Sequence, residues 1–480
     1  MVNEAHILLG LDNSCLSVII TVMRIELSEQ LMTALALIKR AGGLPLLVGG
    51  AVRDAIIKRP TKDYDFEVYG LTIRQLADAL SPLGQVDQVG MAFGVIKVHS
   101  IQSADFSVPR RDNKVGAGHR AFQVEVDPGM SIEDAARRRD LTINSMAYDP
   151  FEDKLHDPFD GYGDLQAHVL KATDPATFLE DPLRALRVAQ FVSRFCFEVE
   201  RNTRVLCSLA PLNELAGERI FEEFKKLLNG TDVDEGLKFL HETNLLTFFP
   251  ELEAMVPCRQ DLDWHPEGSV FVHTVMATQE ARRLSDDPVV LWATLLHDAG
   301  KPLTTKFEDG RIRARGHEEA GVEPARALLG RLKAPNDLID KVAALVSRHL
   351  TPSHFHRNKA GPSAYRRLAQ FLGSAGTDIR TLELVSRADA LGRTTTEALA
   401  KEFEAGDRLL QRAEELKVKL RADQADGSEK GVVMGRHLLS RGFQPGPEIG
   451  QLLSRCLEYQ FESGESDPEK ILNKVLEQQK

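Results

Sequence analysis

The sequence predicts an α+β protein, a strand-bearing head followed by segments that are helical to the end of the chain. Three observations predict it. Short apolar strands alternate with helical stretches only between residues 44 and 148, and helical periodicity takes over afterwards. At 480 residues the chain exceeds one ordinary core, so two to four domains are expected. Hydrophobic residues at 42% and charged residues at 27% match ordinary globular proteins, which excludes disordered and fibrous classes.

Residues 1–23 read as an N-terminal extension. Its apolar run at 15–23 is shorter than a membrane span and follows no Lys- or Arg-bearing leader, so a cytoplasmic protein with no membrane partner is expected, and Met23 is an alternative start. RIELSEQLMTALALIKRAGG then gives an amphipathic helix capped by Ser28 and ended by glycine. The head, residues 24–149, holds the strands LPLLVG, YDFEVYG, GVIKVHS, ADFSVP and AFQVEVD. Residues 150–263 form a helical neck and body, with DPLRALRVAQFVSRF and GERIFEEFKKLLNG as its clearest helices. Residues 264–395 are helical and rich in histidine, and 396–480 form a helical tail with a Gly/Pro-bearing joint at 441–450.

The net charge of −11 argues against a surface built for indiscriminate nucleic-acid binding, and no DNA partner is expected. A local basic groove on an acidic protein remains compatible with one structured RNA. Cys15, Cys196, Cys207, Cys258 and Cys456 are scattered, which fits neither a disulfide framework nor a zinc cluster.

LVGGAVRDAI reads as a strand, a glycine pair and a helix start, a backbone that can cradle phosphate at Gly49 and Gly50 with Arg53 close by. A plain strand-to-helix loop explains the same string. KDYDFEVYG sharpens the reading, because residues two apart on a strand share a face and Asp63 and Asp65 therefore pair their carboxylates. Magnesium between carboxylates and substrate phosphates relieves such a pair and supports phosphoryl transfer. A solvated strand face is the alternative. Asp105, on ADFSV, offers a third carboxylate from another strand.

LVGGAVRDAIIKRPTKDYDFEVYG closely resembles the first motif of the class II CCA-adding tRNA nucleotidyltransferase and bacterial poly(A) polymerase family. RRRDLTINSMAYDP resembles that family's second motif, which implies that Arg139, Asp140 and Asn144 lie near the ribose and phosphates of the incoming nucleotide, with Ser145 in place of the usual alanine. LEDPLRALRVAQF resembles the E-D-x-x-R nucleotide-selection motif, on Glu180, Asp181 and Arg184, with Arg187 one turn on and Gln190 where some relatives carry arginine. The resemblance implies a polymerase-beta-like nucleotidyltransferase head with a mixed sheet, with Asp63, Asp65 and Asp105 as catalytic carboxylates and Mg²⁺ on Asp63 and Asp65.

The selection motif has a physical reading. Cytosine and adenine each show an amino donor beside a ring-nitrogen acceptor, whereas uracil and guanine show a carbonyl beside an N–H. Asp181 as acceptor and Arg184 as donor, at i and i+3 on one helix face, complement the first pair and oppose the second. Asp181 as an ordinary helix cap before Pro182 is the competing reading.

HPEGSVFVHT, LLHDAGKP, GHEEAG, SRHL and VSRADALG supply His273, His297, Asp298, His317, His349 and Asp389. An adjacent His-Asp pair joined by ligands from other helices can hold a divalent ion. The set resembles the HD phosphohydrolase pattern, which implies His273, His297, Asp298 and Asp389 as core ligands, His317 and His349 as ligands of a second ion, and Lys301 as the lysine of HD-x-G-K. The ion implied is a transition metal such as Ni²⁺ or Mn²⁺, or Mg²⁺.

Together the resemblances span roughly residues 44–395. They imply addition of CCA to tRNA lacking a complete CCA end, with CTP and ATP as substrates, and an HD phosphohydrolase acting on terminal or 2′,3′-cyclic phosphates. A poly(A) polymerase or A-adding enzyme of the same fold is the nearest alternative, with the difference placed in the loop at 110–123. An HD phosphohydrolase whose head only binds RNA is the alternative of another class.

Overall fold

The computed structural model describes residues 24–61, 63–87, 94–114, 122–416, 431–463 and 465–478. The alternative start at Met23, Cys15 and residues 115–121 of the loop at 110–123 lie outside them. The chain divides into two compact units, Met1–Phe248 and Phe249–Lys480. Among the described residues no helix is long and apolar enough to cross a membrane.

In the first unit, helix α1 (Glu29–Arg40) begins where the Ser28 hydroxyl accepts the Leu31 amide. Strand β1 (Leu44–Val48), α2 (Gly50–Ile56), β2 (Tyr64–Tyr69), α3 (Ile73–Leu80), β3 (Val95–Val98), β4 (Ile101–Ser107), β5 (Arg110–Lys114), β6 (Phe122–Val126), α4 (Ile132–Arg137), β7 (Ala147–Asp149) and β8 (Lys154–His156) follow. Six of these strands form one sheet in the order β3-β4-β2-β1-β7-β8. The sheet is mixed, because β2 and β4 are parallel while its other neighbours run antiparallel.

Strand β1 lies inside this sheet and is buried from Pro45 to Val48. Leu46 and Val48 pack with Met130, Ala135 and Ala147 on one face. Helix α1 lies against the sheet through its buried stripe of Leu31, Ala34, Leu35 and Ile38. The polar strand β5 carries no apolar alternation and pairs only with β6, as a separate hairpin. The short strands β7 and β8 extend the sheet to residue 156.

Helix α5 (Gly161–Gln166) and the short parallel pair β9 (Val169–Leu170) and β10 (Glu198–Val199) bracket α6 (Leu183–Phe195), and α7 (Arg201–Ser208), α8 (Gly217–Leu228) and α9 (Val233–Glu242) complete the unit. Helix α6 packs on α8 and α9 and is buried along much of its length.

Among the described residues the second unit is helical apart from one small hairpin. It runs α10 (Pro250–Glu253), α11 (Val270–Leu284), α12 (Pro288–Leu296), α13 (Lys301–Thr304), β11 (Lys306–Glu308), β12 (Arg311–Arg313), α14 (His317–Ala320), α15 (Val322–Arg331), α16 (Asn336–Val346), α17 (Thr351–Asn358), α18 (Pro362–Ser374), α19 (Ile379–Leu391), α20 (Thr396–Leu399), α21 (Glu404–Glu415), α22 (Gly435–Leu439), α23 (Pro447–Ser463) and α24 (Pro468–Glu477). Helices α11, α12, α16 and α19 pack around a core that includes the fully buried Trp292. A separate small core of Leu438, Leu452, Ile471 and Val475 holds the tail together.

Candidate functional site

The register of the head sheet assembles the first site. Val48, the last residue of β1, pairs with Asp65 on one side and with Ala147 on the other. The chain therefore leaves the sheet at Gly49 directly beside Asp65, and the turn at 142–145 arrives from the opposite side. Gly49 has φ 72° and ψ −138°, a conformation that suits glycine. A Cβ there would also stand 3.1 Å from Arg139 Nη1.

Asp65 pairs in parallel register with Asp105, so both project from the same sheet face. Crowding by the surrounding protein, and then by the Asp105 and Asp63 carboxylates, pushes the Asp65 carboxyl above its ordinary range against the pull of Arg139. A cation is the natural relief, so the donor set fits a hard divalent ion. Asp63 precedes β2 and is exposed. Asp105 is held differently, because Lys97 Nζ lies 2.9 Å from its Oδ2. The three carboxylates do not all lie within 4.8 Å of one another.

Behind Asp65 the strand carries Glu67, buried and bonded to Arg138, with Tyr69 donating at 2.9 Å and the Arg139 guanidinium 3.7 Å away as an ion pair. These arginines hold the Glu67 carboxyl below its ordinary range although burial acts the other way. The alternation D-x-D-x-E places Glu67 on the Asp65 face, a signal the sequence carries and the reading above passed over.

Arg53 is 3% exposed. Its guanidinium bonds Asp54 at 2.8 Å and the Asn144 side-chain oxygen, and it lies about 5 Å from the ring centres of Phe191 and Phe195. Arg53 thus fixes Asn144 from below. Asn144 donates to Asp140 at 2.9 Å, and Arg187 Nε reaches the other Asp140 oxygen at 2.7 Å. Burial favours a neutral Asp140, but Arg187 and Asn144 hold it ionised. The Ser145 hydroxyl donates to the Leu141 carbonyl at 3.0 Å and contacts Thr173 at 2.6 Å, which accounts for a serine at this buried position.

Asp181 does not share a helix face with Arg184. It is extended, one residue ahead of the Pro182 cap, and α6 begins at Leu183. One carboxylate oxygen accepts the Leu183 amide at 3.2 Å and the other accepts Arg219 at 2.8 Å. Arg184 donates to the carbonyls of Thr177 at 3.0 Å and Arg138 at 2.6 Å. Both line one open cleft of about 1230 Å³, together with Gly49, Gly50, Asp65 and Glu180. Eleven Arg or Lys side chains line it against five carboxylates, which makes it a positive groove on an acidic protein. Gln190 lies on its wall, 5% exposed.

The second site lies wholly in the second unit. His273 comes from α11, His297 and Asp298 follow α12, His317 starts α14, His349 follows α16 and Asp389 sits on α19. Nδ1 of His297, His317 and His349 lies 2.7 Å from the carbonyl three residues earlier, Thr294, Ala314 and Val346 respectively. A carbonyl only accepts, so each Nδ1 donates and each ring turns its Nε2 toward the others. His273 Nδ1 meets Glu267 at 2.9 Å, and His265 contacts the same carboxylate at 2.9 Å.

The Nε2 nitrogens converge. His273 Nε2 is 3.3 Å from His297 Nε2, and His317 Nε2 is 3.3 Å from His349 Nε2. Two imidazole nitrogens that close, with carboxylates beside them, form a set that a cation can bridge. Asp298 serves both pairs, with Oδ2 3.2 Å from His297 Nε2 and Oδ1 3.2 Å from His317 Nε2. Asp389 Oδ1 is 3.0 Å from His273 Nε2. Asp298 and Asp389 are buried yet stay ionised beside His297 and Lys301, and beside Arg393 and His273. Burial with the neighbouring His297 and His317 pushes His349 down to about 3. The donor set fits divalent metal with imidazole and carboxylate ligands.

Lys301 forms an ion pair with Asp298 at 2.7 Å and donates to Gln260 at 2.6 Å. Gly300 is required by close approach, since a Cβ there would lie 2.0 Å from the His317 carbonyl. Gln260, Glu267, Arg219 and Arg393 were not singled out by the sequence reading. Arg393, four residues beyond Asp389 and just past the end of α19, was the one that spacing could have found.

Three family models match this chain: a Poly A polymerase head domain over residues 46–171, a probable RNA and SrmB-binding site of polymerase A over 196–256, and an HD domain over 270–393. A multifunctional CCA protein of Stenotrophomonas maltophilia is 35% identical over 356 residues, covering 72% of this chain and 81% of the relative. One from Xanthomonas axonopodis pv. citri is 33% identical over 428 residues, covering 85% and 96%. Among solved structures, the Bacillus stearothermophilus CCA-adding enzyme in complex with CTP aligns with a TM-score of 0.64 at 20% identity, over 94% of this chain and 98% of that one. The Thermotoga maritima CCA-adding enzyme complexed with tRNA aligns with a TM-score of 0.58 at 18% identity, over 95% and 97%. At these identities the structural likeness speaks for the fold.

Proposed function

The chain belongs to the multifunctional CCA protein family, and from that premise we propose that it adds CCA to the 3′ end of tRNA from CTP and ATP and hydrolyses terminal or 2′,3′-cyclic phosphates at its HD site. The observation that carries the first activity is the meeting of Asp65, the Gly49 turn and an arginine-lined cleft at the end of β1.

In the first reaction the tRNA 3′-hydroxyl attacks the α-phosphate of the nucleotide and pyrophosphate leaves. Magnesium held by Asp63 and Asp65 would supply charge neutralisation at the reacting phosphate. The Gly49 and Gly50 backbone and Arg139 receive the triphosphate. Asn144 and Asp140, fixed by Arg53 and Arg187, orient the ribose. A labelled tRNA lacking CCA should gain two residues with CTP alone and a third once ATP is added. Growth with ATP alone into a long ladder would instead identify a poly(A) polymerase.

Asp181 and Arg184 read the base in this proposal, with Asp181 accepting from the amino group and Arg184 donating to the ring nitrogen. Arg219 holds the carboxylate toward the cleft. Arg184→Ala should raise UTP and GTP incorporation relative to CTP by about one to two decades, by analogy with the roughly 1–3 kcal/mol of a bidentate base contact. Asp181→Asn retains a good acceptor for the Leu183 amide, so a purely structural cap predicts unchanged selectivity. Incorporation of all four nucleotides by Asp181→Asn separates the two roles, and wild-type selectivity there would remove base reading by Asp181.

A further inference from the structure

The chain has two tryptophans, in opposite environments. Trp292 is fully buried, whereas Trp264 is 61% exposed. Trp264 is not on a loose loop. Its amide bonds the Asp261 carbonyl at 3.1 Å, Arg259 bridges to Ser269, and Arg311 of the β11–β12 hairpin reaches Asp263 at 3.1 Å. The loop sets Trp264 on the wall of the second cavity, together with Asp298, His317, Asp389, Lys301 and Arg393.

Size and chemistry restrict what fits. The cavity is about 240 Å³, below the roughly 300 Å³ at which pockets begin to enclose a whole small-molecule ligand. A ligand larger than a phosphate and its sugar therefore extends along the cavity wall and beyond it. What stands there is an indole, with Phe307, 76% exposed, across from Ile312 on the hairpin whose Ile312 also lines the cavity. An exposed aromatic face beside cationic side chains is a stacking surface for a nucleobase.

We propose that Trp264 stacks the base of a 3′-terminal nucleotide whose phosphate enters the His-Asp cluster. The proposal rests on the hydrolase reading of that site. Stacking on one aromatic side chain is sequence-tolerant and corresponds to roughly ten-fold or more in affinity.

The test uses the full-length protein supplied with Mn²⁺, and compares adenosine 2′,3′-cyclic phosphate with the base-free glycerol 1,2-cyclic phosphate. Trp264→Ala should raise KM for the nucleotide about ten-fold with kcat near wild type, and leave glycerol cyclic phosphate unaffected. Trp264→Phe should recover most of the loss. Adenosine 2′,3′-cyclic phosphate should also quench the exposed indole and spare the buried Trp292, a readout independent of turnover. Equal effects on both substrates, no effect on either, or a Phe variant as poor as Ala would overturn stacking and leave the hydrolase reading standing. If the wild type cleaves neither substrate, the hydrolase reading falls, and absence of quenching then removes the stacking as well.

Discussion

Asp65→Ala is expected to abolish nucleotide addition, by on the order of a thousand-fold or more, in a protein that stays folded and retains phosphoester hydrolysis at the HD site. The expectation follows from position. Of Asp63, Asp65 and Asp105, it is Asp65 that lines the cleft; it pairs with the last residue of β1 and lies on one sheet face with Asp105. Losing it removes negative charge from a groove already rich in arginine, so substrate binding should persist while chemistry stops. Asp65→Asn, which keeps the shape and loses the charge, should be nearly as inactive. Asp105→Ala should cost less, because Lys97 already neutralises that carboxylate. Single-turnover incorporation on tRNA lacking CCA, beside a CTP-binding titration, checks this ranking. Robust incorporation by Asp65→Ala would mean that the metal is held elsewhere.

Much of this site was legible because it sits on strands and turns whose patterning is local. The alternation in YDFEVYG fixes which carboxylates share a face, and the glycine pair marks where β1 ends. What stayed hidden depends on residues brought together from afar. Arg219 reaches Asp181 from 38 positions away, and nothing in either segment announces the other. The strand β5 reads RRDNK, without an apolar residue, and exists only through its pairing with β6. Strands β7 and β8 have three residues each, too short for any periodicity. The placement of Asp181 and Arg184 on one helix face failed for a local reason: Pro182 caps α6, so Asp181 falls outside the helix. In the second unit the ligand types were legible, but their grouping into two pairs around one aspartate belongs to the packing of α11, α12, α16 and α19.

That grouping leads to the second large effect. Asp298→Asn should abolish HD phosphohydrolysis by on the order of a thousand-fold and should lose both metal ions, while nucleotide addition continues. One oxygen of Asp298 faces the His273–His297 pair and the other faces the His317–His349 pair, so a neutral amide withdraws a charged ligand from each. An amide also presents an NH₂ to one pair, which opposes a cation there. Removing an outer histidine should behave differently. His349→Ala leaves His273, His297, Asp298 and Asp389 in place, and should lower the metal content by one ion with partial retention of hydrolysis. Metal analysis of the purified proteins distinguishes the two patterns directly. If Asp298→Asn keeps two ions, Asp298 is not the bridge between two metal positions, and if His349→Ala loses all its metal, the four histidines serve a single ion.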